Sequence, residues 1–442
     1  MGVTNIWHVM NLTSTPFFQD PLYPGENAQH PIDLFVGREK EARYILDGIG
    51  SSQHSRHVIQ GAVGVGKTTL LQYVKAEAAK AGYLVDADAV AVTSAASADE
   101  LRLKILLSAY SALLAHDSSL ASNPVMQEVR QIIGMERHRA VSASLGLPAV
   151  GSVGGGTSVQ RHTGPGALSV QPEGLLRELS KLLFTLDRVP GIVIHLNNLE
   201  NLAEAQQETA TRVLRDLRDT ALMNSGFHYL FAGTDDAIRA VITGEERLRS
   251  VVNNPGSLEA LTLEEVGRLL ERRYEHLRHF DNQPVHRPVT PEALGAVYNV
   301  FRGNLRGLLL ALDEAARILI GRTADPTSGM HLADVGPVLS AIYERKMQAD
   351  LDETQQNQMR KIAVRGLDAS FTARQMEKPF GLKYTATNSA LGDLVAKGYL
   401  EEAEGGPRGG AQGRPSRRFR LTGAGRIALG GFRSNLEPDG IG

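Results

Sequence analysis

Gly61-Ala62-Val63-Gly64-Val65-Gly66-Lys67-Thr68 is the stretch on which the reading of this chain turns. It has the spacing GxxxxGK[ST], follows the apolar pair Val58-Ile59, and runs into the helix-forming segment Thr69-Leu70-Leu71-Gln72-Tyr73-Val74. Glycines at such a turn let backbone amides face a polyphosphate. The Lys67 ammonium then reaches the β/γ-phosphates, and the Thr68 hydroxyl is offered to Mg²⁺. The octet, with Thr69 behind it, is expected to bind ATP or GTP; a plain Gly-rich turn is the alternative.

Composition bounds the rest. At 442 residues the chain is long enough for two or three domains. A content of 42% hydrophobic and 22% charged residues is that of a soluble globular protein. No apolar run approaches the ~20 residues that span a bilayer, and Met1 to Asp20 has neither a basic start nor an apolar centre. The expected location is cytoplasmic, with no membrane partner. With no cysteine and no HExxH pattern among 13 histidines, neither disulfides nor a structural metal are expected.

Residues 1–31 carry scattered Pro, Asn and aromatics and read as an extended arm lying on the domain that follows, with Trp7 and Phe17-Phe18 as packing anchors. Strands are predicted at Val58-Ile59, Tyr83 to Val92, Gly191 to Leu196 and Phe227 to Ala232. Helices are predicted over about 99–115, 123–137 and 174–187. Strands alternating with helices at this spacing give a doubly wound α/β domain. The Gly- and Ser-rich segment 142–169 fits a β-hairpin, a mobile loop or a disordered insertion, and its residues leave these open. From about 257 the pattern is helical, and the last ~80 residues change character again, ending in the Gly- and Arg-rich stretch 405–420.

Five segments in order resemble the motif series of AAA+ ATPases: Phe35-Val36-Gly37-Arg38-Glu39, the phosphate loop, the strand ending in Asn197-Asn198-Leu199-Glu200, Gly233-Thr234, and Gly303-Asn304-Leu305-Arg306. They are most similar to the branch that holds replication-origin recognition and helicase-loading ATPases and the related STAND and transposition-regulator ATPases. The resemblance implies an αβα nucleotide-binding core over 32–256, a helical lid over 257–350, and a site completed by a neighbouring subunit. It implies that Arg306 reaches the phosphates from the lid and that Thr234 lines up the attacking water, unless Thr234 only caps a helix. Arg247 or Arg249 is the expected finger for a neighbour's γ-phosphate, with a solvated charge pair as the alternative.

In that family the strand of Val193 to Leu196 ends in two acids, one arranging Mg²⁺ and its water and the next polarising the attacking water. Here Asn197 takes the metal-side position and Asn198 that of the base. An amide holds a water and cannot take its proton, so hydrolysis is expected to be slow or conditional. Glu200 is the candidate substitute; the two asparagines as mere loop residues are the other reading.

The segment 351–430 is predicted to be a winged helix-turn-helix, followed by a tail over 431–442. Between 353 and 430 it carries 13 Lys+Arg against 7 Asp+Glu, and from 405 to 426 six arginines with no acid. Thr387 and Asn388 are the expected base contacts, and Arg408, Arg414, Arg417, Arg418 and Arg420 the expected phosphate contacts of a basic wing.

Taken together, these features predict a weak ATPase, with ATP and Mg²⁺ as cofactors, acting as an oligomeric, nucleotide-controlled switch or loader on duplex DNA. The alternatives are a STAND-like scaffold whose winged helix docks protein, and a steady motor acting on a protein partner.

Overall fold

The computed structural model describes the chain except residues 1–4, 26–27, 94–95, 145–171, 202–206, 255, 321–326, 404–416 and 433–442. The described chain forms two compact units, Pro21–Glu259 and Met1–Asp20 with Ala260–Gly442.

In the first unit, helix α1 (Glu39–Gly50) leads into β1 (Ser55–Gly61), the phosphate loop and α2 (Lys67–Lys80). There follow β2 (Leu84–Val85), β3 (Val90–Ala91), α3 (Ala98–His116), α4 (Pro124–Ser144), α5 (Pro172–Leu183) and β4 (Ile192–Asn197). α6 (Gln207–Leu217), β5 (Phe227–Gly233), α7 (Asp235–Ile238), α8 (Glu246–Arg249) and β6 (Ser257–Leu258) complete it. The strands run in the order β2-β4-β5-β1-β6, with β3 also on β4, and every pair is parallel. Parallel sheets are covered on both faces, which is why β1, β4 and β5 are almost wholly buried runs. Ile105, Leu106, Leu175 and Leu179 of the helices share one apolar core with Ile194 and Phe231 of the strands.

The single strand expected from Tyr83 to Val92 is instead broken in two. Leu84 pairs with Ile192 and Val85 with Val193, but the next pairing is Val90 with Leu196. Five steps on one strand thus answer three on the other. The break has a cause: Asp86 is buried there, 2.6 Å from the Lys75 ammonium on α2, and its other carboxylate oxygen accepts the His195 amide at 2.9 Å. A side chain has replaced the ladder acceptor. α5 also ends at Leu183 rather than near 187, and α6 was not anticipated. Most of the 142–169 insertion lies outside the described residues.

The second unit contains α9 (Leu263–His276), α10 (Pro291–Phe301), α11 (Leu305–Leu319) and α12 (Leu332–Asp350). α13 (Glu353–Ala363), β7 (Phe371–Thr372), α14 (Ala373–Phe380), α15 (Tyr384–Ala396), β8 (Leu400–Ala403), β9 (Arg418–Leu421) and α16 (Gly423–Ala428) follow. Caps start these helices where the sequence allows: Thr262 and Glu265 form a capping box on α9, Asp352 and Gln355 another on α13, and Asn304 accepts the Gly307 amide at 3.0 Å on α11. β7-β9-β8 is antiparallel, with Phe371, Phe419, Leu400 and Leu421 turned inward. Gly423 lies so close to Phe301 that a Cβ there would sit 2.2 Å from the ring, so the C-terminal elements and the preceding helices form one body. The sheet of the first unit claims Ser257 and Leu258, and the helical part begins at 260 rather than 257.

The segment expected to be one arm is divided: residues 21–31 belong to the nucleotide-binding unit and residues 5–20 to the second. Residues 5–20 pack with α9 and the loop after it: Thr13 donates its amide to the Leu277 carbonyl at 2.8 Å, and Asn11 Nδ2 donates to Phe280 and Gln283 carbonyls at 3.0 Å each. The reason is Arg273. Its guanidinium is buried, donates to the carbonyls of Pro16 and Phe18 at 2.9 and 2.8 Å, and lies 3.6 Å over the Phe18 ring. Burial lowers its pKa to about 9, so the arm's carbonyls and ring are what hold the charge in place. Trp7, Phe17 and Phe18 are buried, as anchors should be.

Candidate functional site

The C-terminal ends of β1, β5 and β4 finish level with one another. Gln60 pairs with Gly233, and Leu196 pairs with Phe231, which brings Asn198 level with Gly233 two residues on. The phosphate loop, Thr234, Asn197 and Asn198 therefore share one edge of the sheet, with β5 between the other two strands. Ligands bind at this edge of open parallel sheets.

The loop itself is built for an anion. Gly64 and Gly66 have φ of +84° and +96°, conformations that a Cβ would strain. Gly66 is the N-cap of the 14-residue α2 and makes no side-chain cap there, so the positive end of the helix faces the loop. Lys67 Nζ donates to the carbonyls of Gly61 and Ala62, both at 2.9 Å, holding the ammonium at the mouth of the loop. Thr68 and Thr69 are half-buried beside it, Val65 is buried, and Ala62 and Val63 are exposed. Lys67, Thr68 and the loop amides are the donor set a nucleoside triphosphate with Mg²⁺ requires, and nothing in the loop opposes that charge.

Asn197 ends β4, and its carbonyl accepts the Val92 amide at 3.1 Å. Asn198 has φ of +63°, a left-handed conformation that Asn and Asp tolerate better than other side chains. The backbone thus favours an Asn or Asp at 198 without excluding the acid. Glu200 is half-buried, and its Oε2 is buried with no hydrogen-bond partner among the described residues. Thr234 accepts the Ala237 amide at 3.4 Å and so caps α7 while standing at the site edge. Arg247 and Arg249 are exposed on α8, either side of the buried Leu248. Arg306 is exposed in the first turn of α11, in the second unit.

Arg38, to which the sequence reading assigns no role, lies behind the loop. It is buried and donates to the Val65 carbonyl at 3.3 Å. The signal in the sequence is an arginine directly after the apolar Phe35-Val36-Gly37, at the start of the helix that leads into the phosphate-loop strand.

The C-terminal face departs from expectation at three residues. Thr387 is fully buried, in phase with Leu391 and Leu394 on α15, with its hydroxyl on the Leu382 carbonyl at 3.4 Å, so it cannot meet a base. Arg417 and Arg420 are not free of acids: they pair with Glu402 at 3.3 Å and Glu401 at 2.6 Å on the neighbouring β8. Arg418 donates to the carbonyl and hydroxyl of Ser370 at 3.2 and 2.9 Å. Asn388 is half-buried, and Arg408 and Arg414 lie outside the described residues. Exposed cations at this end, among the described residues, include Arg374 and Lys378 on α14 and Lys383 at the N-cap of α15, where Tyr384 is 47% exposed.

Residues 34–231 match the AAA ATPase domain family. No curated protein matches the chain. The ORC2 protein of Aeropyrum pernix, solved in ADPNP-ADP complexes, is 17% identical with a TM-score of 0.45, over 95% of this chain and 96% of that one. The Walker-type ATPase PABY2304 of Pyrococcus abyssi is 10% identical with a TM-score of 0.46, over 93% and 99%. The ORC1 protein of Aeropyrum pernix in complex with DNA is 14% identical with a TM-score of 0.41, over 91% and 95%. Likenesses this distant carry nothing about what this chain binds.

Proposed function

We propose, from the match of residues 34–231 to the AAA ATPase domain family, that the chain is a nucleotide-controlled switch or loader that binds duplex DNA through its C-terminal elements. The observation that carries the reading is the shared sheet edge: a phosphate loop at the start of α2 beside two amides where a base would stand. Lys67 leaves the Gly61 and Ala62 carbonyls for the phosphates, the loop amides take the remaining charge, and Thr68 offers its hydroxyl to Mg²⁺. Bound Mg²⁺ supplies positive charge to the phosphate oxygens. Asn197 and Asn198 hold water and accept no proton, so ATP is retained longer than it is cleaved. Arg306 and an exposed arginine of α8 are the residues we assign to sensing and to a neighbouring subunit's nucleotide; a mass that stays monomeric with ATP would remove the second role.

Slow hydrolysis has a direct test. Asn198→Asp keeps the left-handed backbone and restores an acid, so turnover is expected to rise by about 10²-fold or more, the usual yield of a positioned base. A wild-type rate already near the ~10 s⁻¹ of a median enzyme, lost in Glu200→Gln, would transfer the role to Glu200.

The helix order of α13 to α15 and the antiparallel β7-β9-β8 support a winged helix-turn-helix. With Arg417 and Arg420 paired to Glu401 and Glu402, the phosphate contacts fall mainly to Arg374, Lys378 and Lys383. Exposed ion pairs are worth only about 0–1 kcal/mol, so the wing arginines still contribute, though less. Duplex affinity should fall with salt, and Arg374→Ala with Lys383→Ala should lower the slope of log affinity on log salt by up to about two. Lys67→Ala should abolish the effect of ATP on that affinity. No duplex binding in either nucleotide state would favour the STAND-like protein-docking scaffold, which the neutralised wing arginines already give some support.

A further inference from the structure

The guanidinium of Arg38, 6% exposed, holds three groups at once. Its Nη2 donates to the Val65 carbonyl inside the phosphate loop at 3.3 Å and to the Glu259 carbonyl, while Nη1 pairs with the Glu41 carboxylate at 3.3 Å. Glu259 follows β6 directly and is the last residue of the nucleotide-binding unit. On the other side of the loop the packing is close. Gly61 pairs with Leu258, and a Cβ at Gly61 would lie 2.9 Å from the Leu258 carbonyl and 3.2 Å from the Val65 side chain. The phosphate loop and the end of β6 therefore lean on each other and also share one cation.

We propose that Arg38 is a positioning residue that makes the segment leaving this unit, around Glu259, follow the state of the phosphate loop. The inference rests on the nucleotide-switch reading above. Phosphates draw Lys67 off the Gly61 and Ala62 carbonyls, and the loop re-forms between Gly61 and Gly66. Val65 lies in that stretch, flanked by glycines with positive φ that turn easily. Arginine is suited to the task because its planar fork presents donors in fixed relation, so a carbonyl that moves at one end shifts the hydrogen bond at the other. A lysine at 38 has no such fork.

Hydrogen exchange at the amides of residues 257–261 tests this on the full chain without nucleotide, with ADP, and with a non-hydrolysable ATP analogue. In the wild type the three states are expected to differ at these amides. In Arg38→Met the difference is lost, although the analogue still binds by calorimetry, and Arg38→Lys restores only part of it. A merely structural role would change exchange equally in all three states. A nucleotide-dependent difference that survives in Arg38→Met, or that Arg38→Lys leaves whole, overturns the inference, as does a wild-type difference confined to other segments. Should Arg38→Met fail to fold, Arg38→Lys alone carries the comparison. Wild-type protein that binds the analogue with no exchange difference anywhere overturns the switch reading, and this inference falls with it.

Discussion

Asp86→Ala is expected to destabilise the nucleotide-binding unit by about 3–5 kcal/mol, because it removes one member of a buried ion pair and leaves the other charge uncompensated. Lys75 is 3% exposed and Asp86 2%, so water cannot take over. The His195 amide also loses its acceptor, an addition of about 1–3 kcal/mol for a buried unsatisfied donor. Whole domains are stable by only about 5–15 kcal/mol, so the variant should be largely unfolded at 37 °C. Urea unfolding followed by circular dichroism reads the change as a lower midpoint. Replacing both partners with apolar residues, Lys75→Met with Asp86→Leu, should recover most of the loss, since an apolar pair carries no stranded charge. A drop below about 1 kcal/mol for Asp86→Ala would mean that the pair is solvated, since exposed pairs are worth no more than this.

The second large effect is acid lability. Burial lowers the pKa of His57 to about 4, His228 to about 4 and His195 to about 3, from the ordinary 6.5. All three lie on strands of the sheet and are at most 1% exposed. The folded state keeps these rings neutral down to their lowered values, whereas the unfolded chain takes up protons as soon as the pH falls through 6.5. The unfolded state therefore binds more protons between about pH 6.5 and 4, and stability falls with falling pH across that window. Three such groups together cost about 3 kcal/mol between pH 6.5 and 5.5. Asp86 works in the opposite direction, because burial raises its pKa and lets the folded state hold a proton longer. Unfolding free energies measured at pH 7.0, 6.5, 6.0 and 5.5 should show the decline, and His195→Val should remove about a third of it. A flat profile over that range would mean the rings are protonated in the folded protein.

Much of the site could be read before the fold was known because it is local in sequence. The phosphate loop needs only its own eight residues, and the strands that flank it announce themselves as apolar runs. α6 was legible too: Ala210, Val213, Leu214 and Leu217 recur at helical spacing and are buried, but the charged residues between them obscured the stripe. Thr387 was misassigned although its phase with Leu391 and Leu394 marks it as a core position.

Contacts between residues far apart in the chain were not legible. The arginines at 417 and 420 appear unopposed within their own stretch, yet antiparallel pairing of β8 and β9 sets Glu401 opposite Arg420 and brings Glu402 to Arg417. The segment from Tyr83 to Val92 is as apolar as a strand requires, yet Asp86 turns in to meet Lys75 from another element and breaks it. The N-terminal arm gives no hint that its acceptors belong to Arg273, more than 250 residues away.

What the sequence determined by itself is therefore the periodic and the local: the alternation of strands and helices that makes an α/β core, the caps that begin the helices, and the loop that receives phosphate. These follow from backbone conformation and from apolar spacing within a few residues, and the loop's role as a phosphate site is what we propose from them. Only the tertiary structure decided where each buried charge finds its partner: Lys75 with Asp86, Arg38 with Val65 and Glu259, Arg273 with the arm. The physical reason is that desolvating a charge costs several kcal/mol wherever it happens, while the group that offsets the cost is supplied by whichever element the fold brings alongside.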